Sequence, residues 1–205
     1  MAALRGLILN YWPFVDTFPK QISTAAARML QGTPLVGYNY EDLSKLWELA
    51  SALLQGMKND EMAHRELWIK TAHSLGVDGQ LGRDKPLDEV NQVIATIGEA
   101  ADRFTTLLRF VTVEIVAESL SATLLASDAF KATVDGPGRQ WFVAHVTHEP
   151  EGLTHEELAL RLAMAIHDPY PTETEVEDII RGAVSRFTEA GEACMRTLEL
   201  PLTHH

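Results

Sequence analysis

The chain has 205 residues, of which 46% are hydrophobic and 22% charged, a composition typical of a soluble globular domain with one substantial core. Its net charge of −12 at pH 7 argues against nucleic acids or anionic membranes as partners, since both bind basic surfaces, and no apolar window is long enough to span a bilayer. The single cysteine, Cys194, excludes an internal disulfide and suits a reducing compartment, and the N-terminus lacks a signal-cleavage pattern. We therefore expect one domain over residues 1–205, a cytoplasmic location and a small-molecule partner, and we leave a homodimer open.

Apolar residues recur with a helical period along nearly the whole chain, and no run of alternating β-branched residues indicates a strand. Gly76 is suited to cap the end of one helix, and Thr154 with Glu157 forms a capping box at the start of another. In chain order the pattern predicts helical segments at about residues 14–30, 41–75, 86–130 with a division near Gly98 or Asp102, 141–149, 154–166 and 175–198. This organisation predicts an all-α bundle of about seven helices.

The apolar stripe of the helix at 41–75 passes through two polar residues, Glu61 and His64, in the stretch "DEMAHRELW" (60–68). Residues three or four apart share a helix face. This spacing places the pair on one face with Leu43, Trp47, Ala50, Leu54, Met57, Trp68 and Leu75. Burying a carboxylate without a partner costs on the order of several kcal/mol, so the pair faces the core and needs compensation.

Two later segments also direct polar residues toward the core. The stripe of the next long helix is predicted from Phe104, Leu107, Val111, Ile115, Ala122 and Leu125. Glu118 lies at the centre of that stripe, and Glu114 lies nearer its edge. In "WFVAHVTHE" (141–149), helical geometry places His145, His148 and Glu149 on the side of the two aromatic residues, and His155 opens the following helix.

Imidazole and carboxylate ligands together suit iron, manganese or zinc, and Glu-x-x-His on a bundle helix is a recurrent half-site of di-iron proteins. Each residue also has an ordinary interpretation. Glu-x-x-His occurs by chance, Glu118 fits a buried acid bonded to a tyrosine or arginine, and the histidines fit helix ends in water. Their joint occurrence on inward faces favours a metal site. Cys194 continues an apolar stripe, so we expect it to pack in the core.

Three stretches resemble the heme-oxygenase-like di-metal oxidases, relatives of thiaminase II and pyrroloquinoline-quinone synthase. "PFVDTFPKQI" (13–22) is similar to the family's first helix, and "DEMAHRELWIKTAHSLGV" (60–77) is similar to its first ligand helix. "EIVAESLSATLL" (114–125) resembles the helix that carries the second glutamate, here Glu118. The resemblance implies a heme-oxygenase-like fold over most of the chain. The Glu-x-x-His spacing is most similar to that of the member that forms terminal alkenes from medium-chain fatty acids.

The third ligand helix departs from the family pattern, which is an aromatic pair followed by His-x-x-x-Asp/Glu-x-x-His. "WFVAHVTHEPEG" (141–152) matches the aromatic pair, His145 and Glu149, but Gly152 stands where the last histidine is expected. The resemblance then implies His145, Glu149 and His155 as ligands after a three-residue insertion, with His148 as a substitute. A register that uses His148 and His155 instead leaves Gly152 where a carboxylate is expected.

The resemblance implies an iron enzyme with O₂ as co-substrate. One or two Fe(II) ions would be held by Glu61, His64, Glu118, His145 or His148, Glu149 and His155. The substrate would be a small organic molecule, fatty-acid- or amino-acid-like, that undergoes C–H abstraction, oxidative C–C cleavage or N-oxygenation. A metal-free thiaminase II-like hydrolase or pyrroloquinoline-quinone-synthase-like protein stays open, as does a non-catalytic helical binding module. A ferritin-like di-iron protein normally has two Glu-x-x-His motifs, and this sequence has one.

Overall fold

The helical periodicity of the sequence corresponds to nine α-helices in a computed structural model that describes residues 1–30, 40–99, 102–147, 154–166 and 171–197. The helices are α1 (Ala2–Asn10), α2 (Trp12–Leu30), α3 (Tyr40–Ser74), α4 (Asp88–Gly98), α5 (Arg103–Ala126), α6 (Asp128–Thr133), α7 (Gln140–Val146), α8 (His155–Ile166) and α9 (Glu173–Arg196). The same ranges contain two 3₁₀ turns, Asp78–Gln80 and Pro137–Arg139, and they contain no strand. The predicted all-α class is confirmed. None of the helices in these ranges is both long and apolar enough to cross a lipid bilayer.

The helix ends that the sequence predicts from capping residues are observed. At the end of α3, Gly76 has a φ of 69°, and the amide of Val77 donates to the carbonyl of Ala72 at 2.9 Å. That bond and a left-handed glycine are the features of a Schellman cap. At the start of α8, the amide of Glu157 donates to Thr154 Oγ1 at 3.3 Å, while Glu157 Oε2 accepts from the amide of Thr154 at 3.2 Å. This is the predicted capping box.

The predicted helical stretch at 86–130 is divided into α4, α5 and α6. The side chain of Asp102 caps α5 by accepting from the amide of Thr105 at 2.7 Å, and Ser127 caps α6 by accepting from the amide of Phe130 at 3.3 Å. A side-chain cap satisfies a backbone donor that a continuous helix would otherwise satisfy, so each cap fixes a new start. The division at Asp102 is predicted from the sequence, whereas α6 and the N-terminal α1 are not.

The core lies where α3 and α5 pack against α2, α7, α8 and α9. Two groups of aromatic rings fill it. The first group joins α2, α5 and α9 through Phe14, Phe18, Phe110 and Phe187, with neighbouring ring centroids 5.2–5.8 Å apart. The second group joins α3, α6 and α7 through Trp68, Trp141, Phe142 and Phe130, with neighbouring centroids 4.8–5.0 Å apart. The second group holds the C-terminal part of α3 against the start of the short α7.

The buried face of α5 differs from the predicted stripe in the second half of the helix. Phe104, Leu107 and Val111 are buried as predicted, but Ile115 is 39% exposed and Ala122 is exposed, so the prediction is wrong at these two positions. The observed face of the second half contains Ala117 and Ser121 instead. Glu114 and Glu118, one turn apart, are both partly buried beside this face.

Helix α1 packs closely against α9 through a glycine. A Cβ atom added to Gly6 would overlap the backbone carbonyl oxygen of Cys194 and would lie 3.1 Å from Thr197 Oγ1. Asn10 Nδ2 donates to Thr197 Oγ1 at 2.8 Å, one turn further along the same interface. Trp68 Nε1 also donates to the carbonyl of Ile8 at 3.0 Å, which ties α1 to α3. The N-terminal helix is therefore an integral part of the bundle.

We predict that Gly6→Ala lowers the free energy of unfolding by about 1–3 kcal/mol, because the added methyl group meets backbone atoms that cannot rotate away. Gly182→Ala in α9 is the matched control. Nothing lies within 4 Å of the Cβ added there, so alanine should stabilise the helix by about 0.5–1 kcal/mol. Urea unfolding followed by circular dichroism measures both variants. Equal stability of Gly6→Ala and wild type would contradict the close α1–α9 contact.

Candidate functional site

Glu61 and His64 lie on the inner face of α3, as the apolar stripe predicts. Glu61 is 8% exposed, and the His64 side chain is 16% exposed. They are flanked on that face by Met57 and Trp68, each 1% exposed. His64 Nδ1 lies 3.1 Å from Glu61 Oε1, so the imidazole donates a hydrogen bond to the buried carboxylate. The pair is the polar interruption of an otherwise apolar helix face.

Helix α7 brings His145 to this pair. The 3₁₀ turn before α7 is fastened to α3 because Thr71 Oγ1 donates to the carbonyl of Gly138 at 2.6 Å. Trp141 and Phe142, 6% and 0% exposed, anchor α7 in the core. This leaves the His145 ring over the His64 ring, with centroids 4.3 Å apart. The aromatic pair noted in the sequence is therefore the device that positions the histidine.

Glu61, His64 and His145 form a cluster with the dimensions of a metal site. One possible ligand atom from each lies within 4.8 Å of the other two. An ion bonded at about 2.0–2.2 Å to nitrogen and oxygen ligands spans at most about 4.4 Å between two of them, so a small side-chain adjustment closes the set. No second group of three such ligands was found in the part of the chain that the structure describes.

The hydrogen bonds of the cluster leave the right atoms for a metal. His145 Nδ1 donates to the carbonyl of Trp141 at 2.8 Å, which leaves the lone pair of Nε2 free. Metal-binding histidines are commonly oriented by such a bond. Burial, followed by the nearby His64, lowers the pKa of His145 to about 4, so the ring is neutral at pH 7. Burial lowers the pKa of His64 too, but the hydrogen bond and charge of Glu61 outweigh burial and raise it overall.

Glu114 on α5 lies near the predicted stripe's edge, as the sequence analysis places it, and the charge of Glu61 acts on it. Burial raises its pKa well above the ordinary value, and the charges of Glu61, Glu156 and Asp60 raise it further. Glu114 therefore lies within electrostatic range of the cluster on α3 and of the first turn of α8. An excess of buried negative charge is what a bound cation relieves. The sequence signal was present, since Glu114 lies one turn from Glu118 on the same helix.

The structure brings some of the predicted ligands together and leaves others apart. Glu118 is partly buried but lies outside the cluster of Glu61, His64 and His145. His148 and Glu149 lie outside the described residues. His155 begins α8, and its side chain also lies outside what the structure describes.

An apolar cavity of about 520 Å³ lies beside the cluster. Glu61 and His145 are part of its lining, together with buried aromatic residues such as Phe18 and Phe187. Its exposed lining residues all lie on α5 and α9 and are Ile115, Ser119, Thr123, Thr188, Glu192 and Met195. The mouth is therefore between these two helices. A cavity of this size and lining is typical of a small-molecule site.

Cys194 lies apart from this cavity. Its side chain is fully buried in α9, and it is not among the cavity's lining residues, although Gly191 and Met195 on the same helix are. Burial, followed by the charge of Glu89, raises the pKa of the thiol to about 12. A nucleophilic cysteine needs a thiolate that can reach its substrate. The position of Cys194 agrees with the predicted packing role.

Comparison of the sequence with models of known protein families gave no match, and comparison with curated proteins gave none either. The resemblance to heme-oxygenase-like di-metal oxidases stays a prediction from the sequence. Support for a function comes from the geometry of Glu61, His64 and His145 and from the cavity beside them.

We predict that iodoacetamide does not modify Cys194 in the folded protein at mildly alkaline pH, because the buried thiol stays protonated and covered. Unfolding in guanidinium should restore modification of one thiol per chain, as measured by mass spectrometry. Since the folded pKa is raised, the protonated thiol should favour the folded state fully below about pH 8.5, and this stabilisation should decline as the pH rises toward 12. Rapid modification of the native protein at pH 7 would contradict this burial.

Proposed function

We propose that the protein is a non-heme iron oxidoreductase that uses O₂ to oxidise a small organic substrate held in the cavity between α5 and α9. The observation that carries this proposal is the cluster of Glu61, His64 and His145, of which Glu61 and His145 line the cavity. Two histidines and one carboxylate are the ligand set of many non-heme Fe(II) oxygenases, because three protein ligands leave coordination positions open. Bound iron would supply the activation of O₂, which amino-acid side chains lack.

The residues of this chain would bind the ion, orient the substrate and exclude water. Glu61 supplies one negative charge. The two imidazoles would be neutral ligands that each keep a proton on Nδ1 and bind the ion through Nε2. Trp141 fixes the orientation of His145 through its carbonyl. The apolar walls keep the reacting carbon or nitrogen of the substrate in a dry environment, which limits side reactions with water.

Glu114 is the residue that we assign to a second position near the iron. It comes from α5 and lies close enough to Glu61 on α3 and to Glu156 in the first turn of α8 for their charges to act on it. Burial and then the neighbouring acids raise its pKa, and a bound cation would compensate that negative charge. One iron at the cluster, with Glu114 available for that ion or for a second, is the arrangement we propose.

A metal-free acid–base enzyme is the second candidate, and one observation favours it. The protonated form of Glu114 is stabilised by burial, whereas His145 is held neutral with a free Nε2 lone pair. A proton donor and a proton acceptor that both lie within electrostatic range of Glu61 suit general acid–base catalysis. Iron binding separates the two candidates, because the metal-free enzyme has no need of it.

We predict that Glu61→Ala, His64→Ala and His145→Ala each weaken Fe(II) binding by at least about 100-fold, since loss of an outer-shell partner alone costs roughly 10–100-fold. His73→Ala is the matched control, because that side chain is 79% exposed and pairs with Asp78 at the end of α3. Anaerobic titration with Fe(II) followed by Mössbauer spectroscopy gives the affinity and the number of sites. We expect one tightly bound iron in wild type and in His73→Ala. Wild-type affinity in all three cluster variants would refute the metal site.

We predict different effects for the two glutamates of α5. Glu114→Gln should weaken iron binding while leaving the thermal stability of the metal-free protein close to wild type, because glutamine replaces a carboxyl whose protonated form burial favours. Glu118→Gln should bind iron like wild type, because Glu118 lies outside the cluster. Both are measured by anaerobic titration and thermal unfolding. The reverse result, with iron lost only in Glu118→Gln, would return the second position to the residue that the family resemblance implies.

A further inference from the structure

The charged side chains that line the cavity are both acidic. Glu61 is buried in the lining next to His145, and Glu192 lies at the mouth on α9, with its side chain 58% exposed. No lysine or arginine lines the cavity within the ranges that the structure describes. Arg196 pairs with Glu192 at 3.3 Å but is not part of the lining. Among the described residues, the lining therefore offers no lysine or arginine to a ligand.

The surroundings of the cavity strengthen this negative character. Asp60 and Glu156 add negative charge near Glu61, since the charges of all three acids act on Glu114. The chain as a whole carries a net charge of −12. Apolar walls have a low dielectric constant and focus the field of such charges, so an anion entering the cavity is opposed and a cation is attracted.

We propose that the substrate is an amine with an apolar body, and that it enters between α5 and α9 as the protonated ammonium form. This inference rests on the proposed function in taking the cavity as the substrate site. It narrows the substrate classes that the sequence leaves open, because a fatty-acid carboxylate would have no cationic partner among the lining residues.

The shape of the cavity accounts for the apolar body. Aromatic side chains form its interior, and Phe14, Phe18 and Phe187 are at most 5% exposed. At the mouth, Ile115 and Met195 are 39% and 38% exposed, so the entrance is itself apolar beside the acidic Glu192. Apolar groups gain free energy by leaving water for such walls. An alkyl or aryl amine satisfies both the walls and the charge.

The test compares three probes that share one chain: octylammonium, 1-octanol and octanoate. Isothermal titration of the metal-free wild-type protein at low ionic strength should give at least tenfold tighter binding of octylammonium than of octanoate, with 1-octanol between them. Raising the salt concentration should narrow this difference, because salt screens the charges at the mouth. Octanoate or 1-octanol binding as tightly as octylammonium, or no binding of any probe, would overturn the proposal.

Two variants of α9 locate the effect. Glu192→Lys reverses a charge at the mouth, whereas Glu189→Lys makes the same change in net charge one turn away, outside the lining. Glu189 is 50% exposed and pairs with Arg186 at 3.0 Å, so the two glutamates have similar surroundings. We expect Glu192→Lys to weaken octylammonium binding and strengthen octanoate binding severalfold, and Glu189→Lys to change neither by more than twofold. Equal effects of both variants would overturn the assignment of the mouth.

Iron titration of the same variants separates this proposal from the proposed function. Glu192 is not part of the cluster, so Glu192→Lys should bind Fe(II) as wild type does. An amine preference without iron binding would support the ligand assignment and remove the iron enzyme. Iron binding together with a preference for octanoate, with and without iron, would support the iron enzyme and overturn the amine assignment.

Discussion

The burial of Glu61 inside a helical bundle is the constraint on which the rest of the site depends. A carboxylate in an apolar core is costly unless hydrogen bonds or opposite charge compensate it. His64, one turn along α3, donates to it, and the ring of His145 lies over that of His64. The pair could have faced water with a shift of the α3 stripe, yet Met57 and Trp68 on either side are 1% exposed. The surrounding packing therefore fixes the acid in the core.

The all-α class and most helix boundaries follow from the sequence, because neighbouring residues in the chain determine them. Caps at Gly76, Asp102 and Thr154 depend on a few neighbouring residues, so they are visible in the sequence. The inward direction of Glu61 and His64 is equally local, because apolar residues precede and follow them at helical spacing. Helix α1 was missed because nine residues offer too few turns for a clear period. Its place depends on contacts with α3 and α9, which are distant in the chain.

Helix α5 shows where local reasoning fails. Its first half is buried on nearly every side, as the burial of Leu107, Leu108, Val111, Thr112 and Val113 shows. Such a segment has no single apolar face, so it does not fix the direction of the stripe that follows. Extrapolating the stripe favours Glu118, whereas α5 packs against α7, α8 and α9 with Glu114 in electrostatic range of Glu61. Glu114 and Glu118 are one helical turn apart, and tertiary contacts decide which of them lies near Glu61.

The same turn of α5 links the cluster to the cavity. The second half of α5 carries the buried Ala117 and the partly buried Glu114 on one side, and the exposed Ile115 and Ser119, which border the mouth, on the other. A bundle that packed this half of α5 as tightly as the first would be more stable and would have neither an entrance nor an acid beside Glu61. Trp141 lowers the stability of the folded state as well, since its buried Nε1 has no hydrogen-bond partner in the described residues. Proteins commonly retain such local losses of stability where a site needs access and charge. The costly features here converge on one place, where α3, α5 and α7 meet the cavity.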